Sequence, residues 1–237
     1  MTIVVLSRAA AVATLVVLAF TLAGCGDQEV AQRKSFIEFL QTRIIDKPGV
    51  HVPALTTELE DKLGVYAKHY AVITTFNSDM DQSVSGFLPK AMRVASVTSI
   101  ADAVARRDAI AAVRGQMSEM RAALAQKLAA AEAARAGLTQ PADLKPVYDA
   151  AFDRDVRSTA LGFEKELPLF EDAMTSILTL TDYLNSHRDK VTVQGSIVSA
   201  NDPTTRTEVT ALLDDITKKT QQLQDSQRRL SKIATGG

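Results

Sequence analysis

Three histidines (His51, His69 and His187), one cysteine (Cys25) and 28 acidic residues hold the chain's capacity for metal, nucleophilic or acid–base chemistry. A metal site on a helix needs ligands about one turn apart, as in H-E-x-x-H. The histidines stand far apart in sequence, and none has a His or carboxylate partner in such a frame. His69, between Tyr66 and Tyr70, reads as a boundary residue of a helix. No G-x-S-x-G elbow presents a serine nucleophile. No G-x-x-x-x-G-K or G-x-G-x-x-G loop presents backbone amides to a phosphate. Asp79/Asp81 and Asp214/Asp215 are neighbouring carboxylates, but such pairs are ordinary on the solvated face of a helix. The expectation is a non-enzyme with no catalytic, cofactor-binding or metal-binding residues.

Cys25 calls for a different explanation, because a lone cysteine cannot form an internal disulfide. It closes an apolar run from Ala9 to Ala23, broken only by Thr14 and Thr21 and preceded by Arg8. A positive residue, an apolar stretch and small residues before a cleavage point are the parts of a secretory signal. Leu22-Ala23-Gly24-Cys25 resembles the lipobox of bacterial lipoproteins, in which the cysteine is acylated and becomes the new first residue. The resemblance implies a signal peptide over 1–24 that is removed, lipidation at Cys25 and a place in the bacterial cell envelope. Two or more acyl chains hold a protein stably on a bilayer, where one does not. An uncleaved anchor is the competing reading, and it needs about 20 apolar residues, more than this run supplies. Gly26 follows the cysteine where many inner-membrane lipoproteins carry Asp. The resemblance therefore favours the outer membrane, facing the periplasm.

Residues 25–29 are then a short lipidated tether, and 30–237 a single helical domain. Four extended residues reach only about 14 Å, so the body is expected close to the membrane. The balance of 27 basic against 28 acidic residues gives no basic face for nucleic acid. Alanine is abundant, aromatics are 5% of the chain and Trp is absent, which favours helices packed through small side chains over a β-sandwich.

The predicted architecture is all-α: an elongated antiparallel helical bundle with coiled-coil-like seams. A first helix over Val30 to Asp46 gathers Phe36, Ile37, Leu40, Ile44 and Ile45 on one side and stops at Pro48-Gly49. The second segment has the clearest period. Leu59, Leu63, Tyr66, Tyr70, Ile73, Asn77, Met80, Val84, Phe87 and Ala91 alternate at four-three spacing, a seam facing a partner helix. Gly86 and Pro89 predict a kink or break near its end. A third segment from Ser99 to Ala136 repeats Ile110, Val113, Met117, Met120 and Leu124, then slips in phase to Leu128 and Ala131. A helix over Asp143 to Arg157 follows, then a seam from Phe163 to Leu184 with Pro168 inside it, either starting a new helix or kinking a continuous one. The β-branched stretch 191–198 around Gly195 reads as a small hairpin or an extended loop. Asn201-Asp202-Pro203 reads as the cap and first turn of a last helix, whose seam includes the polar Lys219 and Ser226.

Two polar features stand out on these seams. Asn77 sits among apolar positions, where it either sets helix register or faces water. Lys218, Lys219, Arg228, Arg229 and Lys232 crowd the end of the last helix. They complement its dipole or, as the alternative, meet anionic lipid headgroups.

Several stretches resemble the YiaF-like bacterial lipoproteins, a family catalogued as a domain of unknown function. They are Gln32-Arg33-Lys34-Ser35-Phe36-Ile37-Glu38-Phe39-Leu40-Gln41, Tyr70-Ala71-Val72-Ile73, Asp143-Leu144-Lys145-Pro146-Val147-Tyr148-Asp149-Ala150-Ala151-Phe152 and Asp182-Tyr183-Leu184. The resemblance implies an envelope lipoprotein and carries no catalytic residues with it. The leading functional reading is a membrane-tethered structural or interaction protein with an envelope protein as partner. The alternative is a small-molecule or lipid binder, its pocket lined by Tyr66, Tyr70, Phe163 and Phe170. A hydrolase of envelope polymers comes third; it would need a pair of buried carboxylates in one cleft.

Overall fold

The computed structural model describes residues 26–235. The Leu22–Cys25 motif lies outside the described residues. Helix α1 covers 26–45, and its last five residues, Gln41–Ile45, wind as a π turn. Residues 26–29 are helical; four helical residues rise only about 6 Å. Glu29 fastens this turn. Its carboxylate accepts a hydrogen bond from the Tyr66 hydroxyl and pairs with Arg33, which draws this turn onto the body.

Residues 46–56 form a strap to α2 (Thr57–Leu63). The Thr56 hydroxyl opens α2 by accepting the Leu59 N–H. A short 3-10 turn, Gly64–Tyr66, leads into α3 (Ala67–Ala95). The four-three seam over this region predicts one helix, but the chain breaks it at Gly64, where φ is +54° and a Cβ would collide with the Gln32 side chain. The seam survives the break: Leu63, Tyr66, Tyr70, Ile73 and Met80 are all buried, while Val84 is only half-buried. Gly86 and Pro89 do not end α3, which runs on to Ala95.

The third segment divides at Arg106 into α4 (Ile100–Ala105) and α5 (Arg107–Ala136). Ser99 caps α4 by accepting the Asp102 N–H. Ile110, Val113, Met117, Leu124 and Ala131 of α5 are buried, following the seam through its phase slip. Next, α6 (Lys145–Phe152), a π turn (Asp153–Arg157) and α7 (Ser158–Ser186) run without interruption. Pro168 lies inside α7, so no new helix starts there.

The stretch after α7 is a hairpin: β1 (Val191–Gln194) pairs antiparallel with β2 (Ile197–Ala200), with Gln194 opposite Ile197. Gly195 takes φ +59° in the turn, a conformation that glycine adopts without strain. Asp202 then caps α8 (Pro203–Thr235) by accepting the Thr205 N–H.

Helix α3 packs on α5, α5 on α7, and α7 on α8, while the π turn of α1 packs on α6. The main core runs from Phe36 on α1 to Leu178 on α7. A smaller one joins Leu180, Leu184, Val191 and Val209 beneath the hairpin. The fold is all-α with one small hairpin. Among the described residues, no helix is long and apolar enough to cross a membrane.

Candidate functional site

At one end of the molecule α1, α3 and α6 meet through aromatic rings. Phe36 stacks on Tyr66 at 5.7 Å, and Phe39 meets Tyr70 edge-on at 5.0 Å. Tyr148 lies 6.3 Å from Phe36 and 6.4 Å from Phe152. Such rings carry the largest apolar areas in a core, and their contacts add roughly 0.5–1.5 kcal/mol per pair beyond burial. The Arg135 and Arg157 guanidinium groups lie 5.1 and 5.7 Å from the Phe152 ring centre. Asp149 and Glu132 hold these cations at 2.8 and 2.6 Å.

The stripe that begins at Tyr148 carries an anomaly. Its buried positions are Tyr148, Ala151, Phe152, Asp155, Val156, Thr159 and Ala160, the inward face of a helix at four-three spacing. One of them is a carboxyl. Asp155 sits in the π turn with 0% exposure, and neither of its oxygens completes a hydrogen bond. Thr159 Oγ1 and Arg154 Nε beside it are also buried without partners. π turns inside helices recur at functional sites.

The strap lies over this turn. Arg154 Nη2 donates to the carbonyls of Lys47 and Gly49, and the Tyr70 hydroxyl donates to Pro53 O at 2.7 Å. On the other side Asn77 Nδ2 donates to Ile73 O at 3.0 Å and to Asp155 O at 3.4 Å. Asn77 thus ties α3 to the backbone of the π turn. Burial pushes the Asp155 carboxyl up to about 7, against the opposing pull of the His51 amide and the Arg154 charge. A buried carboxyl in such a place holds its proton through mildly acidic pH. It can hold or release that proton, and by itself it has no second group to complete a reaction.

A second buried carboxyl lies further along the same continuous helix. Glu166 is 3% exposed and receives both Arg229 Nε and Nη2, at 2.9 and 2.7 Å. The Arg229 guanidinium holds Glu166 down to about 2, outweighing the opposite effect of burial. The two carboxyls stand about 16 Å apart along the helix at 1.5 Å per residue. Glycoside hydrolysis needs a pair at about 5–9.5 Å, so they do not form the single cleft the hydrolase reading requires.

The other residues singled out from sequence are dispersed. His69 is half-buried; Gln140 Nε2 approaches its Nδ1 at 3.4 Å, the Tyr66 ring meets it edge-on, and burial lowers its proton affinity. His51 is exposed on the strap, and His187 stacks on Tyr183 at 4.1 Å. Among the described residues no three His, Cys, Asp or Glu side chains converge on a metal-sized site. Asp79 pairs with Lys127 at 3.0 Å, and Asp215 accepts from Ser176. At the basic end of α8, Lys219 meets Asp172, Arg228 meets Asp225 and Arg229 meets Glu166.

Tyr66, Tyr70, Phe163 and Phe170 line neither of the two main cavities. The two tyrosines pack ring to ring with α1. One cavity, of about 280 Å³, lies between α5 and α7 at Ser118, Arg121, Leu124, Glu164 and Leu167. The other is an open groove of about 560 Å³ between α3 and α5, floored by Val72, Phe76, Ala123 and Ala130.

The chain belongs to the family described as protein of unknown function DUF3053, whose model matches residues 12–231. It is 28% identical over 165 residues to the uncharacterized protein YiaF of Escherichia coli strain K12, covering 69% of this chain and 70% of the relative. The YiaF proteins of Escherichia coli O157:H7 and Shigella flexneri match to the same extent. No solved structure matches.

Proposed function

We propose that this protein is an envelope lipoprotein, held on the outer membrane by acyl chains on Cys25, whose helical body has a structural or protein-interaction role. The observation that carries the reading is Leu22-Ala23-Gly24-Cys25 standing directly before residues 26–45, which are helical. That helix is part of the body, because Phe36, Leu40 and Ile44 are fully buried. Lipid on Cys25 therefore places the folded domain against the bilayer surface with no stalk between. The open groove between α3 and α5 supports an interaction role, since alanine walls let another element approach closely.

Metabolic labelling with a fatty-acid analogue tests the anchor. The wild-type chain is expected to take the label and Cys25→Ser to miss it; equal labelling of both overturns the reading. Crosslinking in living cells with the anchor intact tests the interaction role, with an envelope protein as the expected adduct. Fractionation to the inner membrane overturns the outer-membrane assignment.

A further inference from the structure

We propose that the 46–56 strap is a latch that tightens in acid, with Asp155 as the group that binds the proton. The inference stands apart from lipidation and concerns the folded body alone.

The geometry has three parts. The first is a carboxyl fully removed from water, with neither oxygen in a hydrogen bond. The second is a cover that is irregular chain and not a packed helix. The strap has no regular structure between Asp46 and Thr56, and its Gly49 is buried against the turn. The third is a small set of fastenings: Arg154 to the Lys47 and Gly49 carbonyls, and Tyr70 to the Pro53 carbonyl. All three use donors that stay protonated well above neutral pH, so the fastenings do not themselves titrate near pH 7.

The groups that face the carboxyl are Arg154 from its own turn, Tyr70 from α3 and His51 from the strap. On the flank, Glu132 of α5 is already engaged by Arg157. No cation comes within bonding distance of the Asp155 oxygens; under the closed strap only the His51 amide and the more distant Arg154 charge favour ionisation, and burial outweighs both. When the strap lifts, water reaches the carboxyl and it ionises as an ordinary aspartate.

Each opening event between about pH 4 and about pH 7 thus releases one proton, bound in the closed form and free in the open one. Opening becomes about tenfold more frequent for each pH unit in that window and levels off above it. Acid closes the latch; neutral pH loosens it.

The test is hydrogen exchange of peptides covering 46–56, read by mass spectrometry on the full chain in detergent micelles. Rates are corrected for the intrinsic effect of pH and compared at about pH 5 and about pH 6.5. In the wild-type chain, strap opening is expected to rise about thirtyfold across that interval, one decade per unit. In Asp155→Asn, which cannot ionise, it is expected to stay constant. A wild-type strap whose opening is independent of pH overturns the proposal. So does an Asp155→Asn strap with the same rise, or a strap that exchanges at the free-peptide rate throughout. A carboxyl 13C titration of the wild-type chain provides a reading that needs no variant. Asp155 titrating near neutral pH supports the latch, and titration in the ordinary aspartate range overturns it.

Discussion

Asp155 and Glu166 occupy equivalent positions on one helix, both inward-facing and both nearly sealed from water, yet their surroundings treat them oppositely. Burial dominates at Asp155 over the weaker pull of the His51 amide and the Arg154 charge; it favours the neutral acid, raising it to about 7. Burial also disfavours the Glu166 carboxylate, but more weakly, and Arg229 supplies two hydrogen bonds and a positive charge that hold it down to about 2. Burial does not decide whether a carboxyl is charged; the partner does. One end of the molecule thereby keeps a group that can change protonation near neutral pH, and the other has a fixed ion pair.

The pH dependence of stability separates the two. Asp155 binds its proton more tightly in the folded chain than in the unfolded one. Its contribution is therefore greatest in acid and declines as pH rises from about 4 to about 7. Glu166 works in the reverse sense: its contribution is full above about 4.5 and is lost as pH falls towards about 2.

Four variants test the contrast, in decreasing order of expected effect. Ile73→Ala, in the seam one turn from Asn77, removes a side chain with 0% exposure and is expected to cost about 2–5 kcal/mol in urea denaturation. A variant as stable as wild type would show that the seam does not pack under the π turn. Asp155→Asn should raise stability at pH 8 by about 2–4 kcal/mol, because it removes the cost of ionising a buried group, and should flatten the pH profile between about 4 and 7. Unchanged stability at pH 8 would mean that the carboxyl is already matched by a partner. Arg229→Ala should lower stability modestly at neutral pH, because the arginine is half-exposed, and should leave Glu166 without its cation and with its carboxyl raised. A carboxyl NMR titration of Glu166 in that variant checks the rise. Asn77→Ala loses the link from α3 to the Asp155 carbonyl and should cost about 1 kcal/mol by thermal melting; a change within about 0.5 kcal/mol would mark the side chain as merely facing solvent.

Periodicity by itself located the helices. Four-three spacing places Tyr66, Tyr70, Ile73, Met117, Leu124, Met174 and Leu184 on inward faces, and all are buried, because a helix surface repeats every 3.6 residues whatever its neighbours. The hairpin and the Asp202 cap were equally local, since turn and capping chemistry act over two to four residues. The same spacing exposes Asp155 as well: a carboxyl in the stripe Tyr148, Phe152, Asp155, Thr159 is the signal that could have found it, and one also marks Glu166 between Phe163 and Phe170.

Only the tertiary structure decided the rest. The lack of room for a side chain at Gly64 depends on the Gln32 side chain of α1 lying against it, and the fastening of Glu29 onto the body depends on the Tyr66 hydroxyl donating to it. The ring packing at Tyr66 and Tyr70 depends on α1 docking there. The fates of the two buried carboxyls depend on which element lies opposite each one. Arg229 is distant from Glu166 in sequence, and so is the strap from Asp155. A proton affinity is set by what is brought within a few ångströms, which a local pattern does not encode.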